Sequence, residues 1–178
     1  MGDNWMVPIP WTWIRSWSCR TCGSCCRDYD PILTTLEGLR LRRFGSVVEP
    51  CLRGFLIKKR FDGRCIFQYR SSQGWLCGIQ HLKPSACKIW PFKVFREPRY
   101  GRADEARYNY NDQDLYVYVD QNCKGIIYGM PSLEFIAKTV REFVELTLEG
   151  REKQLHSTFR STSDAVTPPA HPLSQVPK

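Results

Sequence analysis

The chain has 178 residues, of which 42% are hydrophobic and 25% charged, and its formal net charge is +8. This composition is ordinary for one soluble globular domain of modest size. The first residues carry Asp3 and no long apolar run, and no later stretch approaches eighteen apolar residues. The sequence therefore predicts neither an export signal nor a membrane span, and we expect a cytoplasmic protein whose thiols stay reduced.

The N-terminal segment, residues 1–18, is rich in tryptophan. Four of these side chains lie within it, at Trp5, Trp11, Trp13 and Trp17. Large amphipathic rings most often cover a small core beside loops. We therefore predict an aromatic arm that wraps the cysteine-rich module, residues 19–151, and shields it from water.

The module opens with a dense run of four cysteines, Cys19, Cys22, Cys25 and Cys26. A two-residue gap lets a tight turn point two sulfur atoms at one ion or cluster. The side chains of adjacent residues in an extended backbone point to opposite sides. The Cys25–Cys26 pair therefore predicts two sites back to back, or one polynuclear centre.

After the cysteine run, the sequence predicts a short helix from Thr34 to Gly45. Thr34 and Glu37 have the spacing of a capping box, and a glycine is a suitable C-terminal stop. The next segment, residues 47–55, is interrupted by Pro50 and Gly54, and we predict a loop there.

The middle of the chain predicts short strands and turns. Residues 64–70 and 75–78 are expected to be two strands joined by a turn at residues 71–74. Residues 84–90 predict one helical turn carrying Cys87, and residues 92–96 an extended segment. Residues 108–110 and 115–119 predict a hairpin around residues 111–114.

The C-terminal part predicts an amphipathic helix from Ser132 to Glu149. Apolar residues recur there at three- and four-residue intervals, at Leu133, Ile136, Ala137, Val140, Phe143, Val144 and Leu148. Residues 152–178 are rich in Ser, Thr and Pro, and we expect a disordered tail. Together these elements predict an α+β fold: a small irregular single domain organised around a cysteine-rich metal centre.

Eight of the nine cysteines are candidate metal ligands: Cys19, Cys22, Cys25, Cys26, Cys65, Cys77, Cys87 and Cys123. Disulfides are the alternative, but nine is an odd number and no export signal supports oxidation. Cys51 is expected to be a buried or partly buried free thiol. His81 is a weaker candidate, since a histidine in this position is more often a surface residue.

Basic residues are concentrated between Arg15 and Arg70, where twelve Lys and Arg stand against five acids. One interpretation is a partner for the basic stretch 40–70, either a protein or an anionic ligand such as RNA. The other, which we favour, is compensation of the negative charge of thiolate sites by nearby cations such as Arg20, Arg27 and Lys88.

Several motifs resemble those of the CxxCxxCC cysteine-cluster family, often called YkgJ-type, which is associated with zinc or iron chelation. They are the CGxCC-Arg run ending at Arg27, the threonine-led helix with Glu37, the block from Pro84 to Phe92 around Cys87, and the late Cys123-x-Gly125. The family usually has Arg where this chain has Lys83, and Tyr where it has Gln80. Neither departure touches a thiol.

The resemblance implies metal binding and little more. A relative with a similar cysteine domain, flagellin lysine N-methylase, is an iron–sulfur enzyme that uses S-adenosylmethionine. This chain contains no GxG, P-loop, GxSxG or HExxH motif. We therefore do not carry methyl transfer over to it.

Iron–sulfur and zinc are both compatible with eight thiols. Cys19, Cys22 and Cys25 repeat the spacing that binds three corners of a [4Fe–4S] cluster, which favours iron–sulfur. All-thiolate ligation suits zinc equally well. The leading hypothesis is an accessory, redox or structural metal module. The alternatives are an enzyme subunit of methyltransferase or oxidoreductase type, and a zinc-stabilised nucleic-acid-binding module.

Overall fold

The computed structural model describes residues 7–151 and 153–158. Within them the chain forms one small α+β domain, as predicted. The strands are β1 (Ile9–Pro10), β2 (Ile14–Trp17), β3 (Val48–Cys51), β4 (Gly54–Ile57), β5 (Gln68–Ser71), β6 (Gly74–Cys77), β7 (Phe92–Phe95), β8 (Arg107–Tyr110), β9 (Gln113–Val119) and β10 (Ile126–Tyr128). The α-helices are α1 (Ser24–Asp28), α2 (Thr35–Arg42), α3 (Ser85–Ile89), α4 (Ala103–Ala106) and α5 (Arg141–Leu148). No helix in the described part of the chain has the length and apolar character needed to cross a membrane.

The main sheet is antiparallel and has β9 at its centre. Strands β1, β7 and β8 all pair with β9, and the separate pair β2–β10 lies beside this sheet. The predicted hairpin of β8 and β9 is confirmed, with a shorter turn than expected. Asn111 and Asp112 form it alone, with φ of 49° and 60°. Two left-handed residues are the signature of a tight hairpin turn.

The C-terminal helix packs on this sheet and closes the larger of two cores. Phe143 is fully buried and stacks on Phe92 of β7, with ring centroids 4.0 Å apart. The N-terminal segment belongs to the same core, since Trp11, Ile14 and Trp17 are all buried within it. We call β1, β2, β7–β10, α4 and the C-terminal helix the sheet half.

The predicted C-terminal helix is confirmed, but its first part is a π-helix over Phe135–Val140 that continues directly into α5. A π-helical turn contains more residues than an α-helical one, so the buried face shifts along the sequence. Phe135 and Thr139 are buried, whereas Leu133 is 85% exposed. The prediction that Leu133 and Ala137 line the core was therefore wrong.

The other part, residues 19–90, contains two separate hairpins, β3–β4 and β5–β6. We call it the hairpin half. The predicted strands around residues 71–74 are confirmed, although β5 starts only at Gln68. The predicted loop at residues 47–55 was wrong, because β3 and β4 pair there. Pro50 is tolerated in an exposed two-stranded edge, and Gly54 adopts a φ of 141° that closes the turn.

The predicted helix after the cysteine run is confirmed as α2, with its capping box. Thr34 Oγ1 accepts a hydrogen bond from the Glu37 backbone N–H, and Glu37 Oε2 accepts one from the Thr34 N–H. The buried side of α2 packs on Phe55 and contributes Leu41 to a smaller core.

Residues 153–158, at the start of the predicted tail, are packed against the domain. The carboxylate of Glu142 accepts hydrogen bonds from the backbone N–H groups of Leu155 and His156 and from the Ser157 hydroxyl. Glu142 and Ser157 are each only 2% exposed. The rest of the predicted tail, residue 152 and residues 159–178, lies outside the described part.

Candidate metal centre

The adjacent thiols of Cys25 and Cys26 lie on α1 rather than on an extended segment. Their sulfur atoms are 4.0 Å apart, so the expectation that they point to opposite sides was wrong. A hydrogen bond from the Cys26 thiol lowers the pKa of Cys25 to about 7, assisted by the charge of Lys83 and against the effect of burial. Donating that bond raises the pKa of Cys26.

The hairpin β5–β6 and the segment that precedes it hold two further thiols beside α1. The Cys65 backbone N–H donates to the carbonyl of Cys26 at 2.9 Å. Cys77 ends β6 opposite Gln68, whose side-chain amide donates to the Gly23 carbonyl at 3.2 Å. Burial raises the pKa of Cys65 to about 11. Backbone and side-chain hydrogen bonds therefore fix this hairpin against the start of the cysteine run.

Glu37 links the capping box to the helix that carries Cys87. Its second carboxylate oxygen accepts hydrogen bonds from the Ser85 N–H and hydroxyl at 2.7 and 2.8 Å, at the start of α3. Burial alone would raise the pKa of Glu37, but the bonds from Ser85 and Thr34 outweigh it and lower the pKa. The sequence indicated the capping role of this residue but not its role in positioning α3.

Cys123 is brought to the run by a close backbone contact. The Ser18 N–H donates to the Gly125 carbonyl at 3.1 Å, and a Cβ on residue 125 would lie 2.1 Å from the Ser18 carbonyl oxygen. Only glycine permits this approach, which explains the Cys-x-Gly motif. The indole N–H of Trp17 donates to Cys123 Sγ at 3.2 Å.

Eight thiols from these elements are linked electrostatically, because each either has its pKa shifted by the charge of another or exerts such a charge itself. A charge on Cys25, for example, raises the pKa of Cys87 and of Cys123, in both cases after the larger effect of burial. The thiols connected in this way are Cys19, Cys22, Cys25, Cys26, Cys65, Cys77, Cys87 and Cys123. All nine cysteines are free, so the disulfide alternative finds no support. Cys51 lies apart, half-buried in β3.

Lys83 is the cation whose charge acts on the largest number of these thiols. It lowers the pKa of Cys19, Cys77 and Cys87 in opposition to the larger effect of burial. From the sequence we expected Arg20, Arg27 and Lys88 to compensate the charge of the thiolates. Lys83 was noted there only as a departure from the family pattern. Arg27 is instead paired mainly with Asp28.

Part of the basic stretch is neutralised within the domain. Lys59 pairs with Asp30 at 2.6 Å, and Arg60 and Arg64 both approach Asp62. His81 is exposed on a short 3₁₀ turn. Throughout residues 7–151 and 153–158, no three Cys, His, Asp or Glu side chains are arranged so that they could hold one ion.

The fold and the gathered thiols define a class: a small α+β domain with a cysteine-rich centre. A family model described as a "putative zinc- or iron-chelating domain", CxxCxxCC, matches residues 18–124, which is more than half of the chain. The chain therefore belongs to the CxxCxxCC family, and metal binding in general is the chemistry that this family assigns. No curated protein and no solved structure matches the chain.

Proposed function

We propose that this chain is a metal-binding accessory module with a redox or structural role, and that its ligands are the eight gathered cysteines. The observation that carries the proposal is the 4.0 Å separation of the Cys25 and Cys26 sulfur atoms, with Cys65 held against them by its backbone hydrogen bond to the Cys26 carbonyl. Cys51, the ninth cysteine, lies outside this group. If the cysteines only filled the core, eight of them would not be expected to lie in one group with Cys51 outside it.

The donor set suits both metals that the family description allows. Soft thiolates select zinc and iron–sulfur clusters. Two thiolates on one tetrahedral zinc ion, with zinc–sulfur bonds of about 2.3 Å, lie about 3.8 Å apart, close to the 4.0 Å between Cys25 and Cys26. Since no three Cys, His, Asp or Glu side chains of the described residues are arranged around one point, we expect the metal to draw the thiols together on binding.

Our favoured centre is an iron–sulfur cluster, and zinc is the second candidate. The regular spacing of Cys19, Cys22 and Cys25 supports the cluster. The short separation of the Cys25 and Cys26 sulfur atoms supports a shared zinc ion. Eight reduced thiols fit a reducing compartment, and we therefore propose that the protein works in the cytoplasm.

We propose an acidic protein surface as the partner. On α2, Leu36 and Leu39 are 58% and 52% exposed, on the face that also carries Arg40 and Arg43. Among the described residues, neither arginine has an ion pair with a carboxylate. Apolar side chains beside unpaired cations favour a protein over a nucleic acid. Binding to RNA that weakens steeply with salt would contradict this choice.

The test is purification without oxygen, followed by metal and sulfide analysis and visible absorption. A brown protein with equal iron and sulfide supports the cluster, and a colourless protein with zinc supports the second candidate. Protein without any bound metal would contradict the proposal. The matched variants are Cys25→Ser and Cys51→Ser, which make the same chemical change inside and outside the gathered group. We expect metal loss in the first and full metal content in the second.

A further inference from the structure

A cavity of about 360 Å³ opens beside Cys19, one of the proposed ligands. Sites for small molecules occupy roughly 300–1,000 Å³, so this cavity suits a compact molecule. Its walls come from β2, from the π-helical segment and from residues 155–158. An enzyme or ligand-binding module would need such a cavity beside its metal centre.

The π-helix forms one wall of the cavity. Glu134, Phe135 and Lys138 line it. Such segments are rare and frequently occur at functional sites. Here the shift in the buried face places Phe135 inward, at 2% exposure, while Glu134 and Lys138 remain at the opening with 75% and 52% of their side chains exposed.

The opposite wall is held in place by buried hydrogen bonds. The Glu142 carboxylate accepts the backbone N–H groups of Leu155 and His156. The Gln154 side chain donates to the Lys88 carbonyl at 3.1 Å. The segment that carries His156 is therefore fixed both to α5 and to the helix that carries Cys87.

The cavity has a charged end and an apolar end. Glu134 Oε1 and Lys138 Nζ are 2.9 Å apart. The hydrogen bond from Lys138, assisted by the nearby charge of His156, lowers the pKa of Glu134. Trp17 and Phe135 form the apolar wall. One carboxylate and two basic groups, beside aromatic rings, match a ligand with both an acidic and a basic group on an apolar body.

We propose that this cavity binds a small zwitterionic molecule of the amino-acid type. Its ammonium group pairs with Glu134, its carboxylate lies between Lys138 and His156, and its side chain packs on Leu155, which lines the cavity and is 42% exposed. Because the charged groups are largely exposed, each ion pair contributes little, and we expect a dissociation constant on the order of 1 mM. That the ligand lies against a metal centre rests on the proposed function, whereas binding itself does not.

The experiment uses three probes of the same shape: L-leucine, isovalerate, which lacks the ammonium group, and isoamylamine, which lacks the carboxylate. Binding to the full chain is measured by ligand-observed NMR, with the metal content determined on the same sample. We expect leucine to bind up to about fivefold more tightly than either singly charged probe, because an exposed ion pair contributes at most about 1 kcal/mol. Equal binding of all three, or no leucine binding at concentrations on the order of 10 mM, would overturn the proposal.

Variants connect the binding to the charged end. Lys138→Met should weaken leucine binding up to about fivefold, and Glu134→Gln should remove the preference for leucine over isovalerate. The control is Arg141→Met, which breaks a second i,i+4 ion pair of the same 2.9 Å length, to Glu145, away from the cavity. Full leucine binding by Lys138→Met, or its loss in Arg141→Met, contradicts the assignment. If protein purified without oxygen carries no metal and still binds leucine, the proposed function fails and the cavity proposal stands.

Discussion

The two halves of the domain have nearly equal length but very different cores. The sheet half buries thirteen apolar residues in one cluster, among them Phe92 and Phe143. The hairpin half, residues 19–90, contains all of a second cluster of only six. At roughly 1.5–3 kcal/mol per fully buried large apolar side chain, seven fewer residues are a deficit of roughly 10–20 kcal/mol.

The smaller apolar core of the hairpin half explains why most of the candidate ligands lie there. Seven of the eight candidate ligands lie in the hairpin half, and Cys123 alone lies outside it. Structural zinc sites contribute about 10–16 kcal/mol of apparent binding free energy in small peptides, which is similar to the deficit. We infer that the sheet half is held together by apolar burial and the hairpin half by its metal.

The halves are joined by the packing of Cys19 and Ile89 against the larger core and by a few polar contacts. Trp17 belongs to the larger core and donates a hydrogen bond to Cys123 Sγ. Gln154 reaches the carbonyl of Lys88 beside Cys87. Loss of the metal should therefore affect the sheet half only at its contacts.

Metal removal gives the largest expected effect. An anaerobic chelator should unfold most of residues 19–90, because their small core cannot offset the conformational entropy of folding. Hydrogen–deuterium exchange with mass spectrometry should show rapid exchange there and retained protection in β9 and α5. Equal loss of protection in both halves would contradict the division, and so would no loss in either.

Phe143→Ala tests the sheet half. Phe143 is fully buried between Phe92 and Trp17, and such truncations cost about 3–5 kcal/mol through lost burial and the cavity left behind. Denaturant unfolding of the metal-loaded protein should show this decrease in the free energy of unfolding. Phe61→Ala is the control, since its ring is fully exposed and the change should stay within about 0.5 kcal/mol.

Glu142→Gln tests the attachment of residues 153–158. The neutral amide keeps the shape of the side chain but loses the charged acceptor, and one oxygen is replaced by an NH₂ group that faces backbone donors. Hydrogen bonds to charged groups contribute about 1.5–3 kcal/mol, so we expect a decrease in the free energy of unfolding of about 2 kcal/mol. Faster proteolysis near Leu155 should accompany it. The exposed Glu97→Gln should change neither measurement.

The sequence predicted the elements whose cause is local. The capping box of Thr34 and Glu37 and the Asn111–Asp112 turn each act within a few residues, and both elements were found. The π-helix was not predicted, because packing against the sheet selects it over an α-helix of the same sequence. The β3–β4 hairpin was not predicted because a proline usually interrupts a strand. The sequence does not show that Pro50 lies on an exposed edge strand, where proline is tolerated.

The features of the candidate metal centre also divide into those that local sequence predicts and those that depend on tertiary contacts. Cysteine spacing identified the eight thiols that the fold gathers, although their role as ligands remains a prediction. The orientation of Cys25 and Cys26 was wrong because it assumed extended backbone, whereas a short helix forms there. The influence of Lys83 depends on tertiary contacts, and no local pattern reports these.

Thr34→Ala should have the smallest effect and sharpens the division within the hairpin half. It removes the hydroxyl that caps α2 but leaves Glu37 bound to Ser85, and loss of an N-cap costs about 1 kcal/mol. The free energy of unfolding should fall by that amount in Thr34→Ala and recover in Thr34→Ser, with the metal content unchanged in both. Glu37→Ala removes the cap and the contact with α3 together, so it alone should also weaken metal binding. If Thr34→Ala lost as much metal as Glu37→Ala, the cap and not the Ser85 contact would position Cys87.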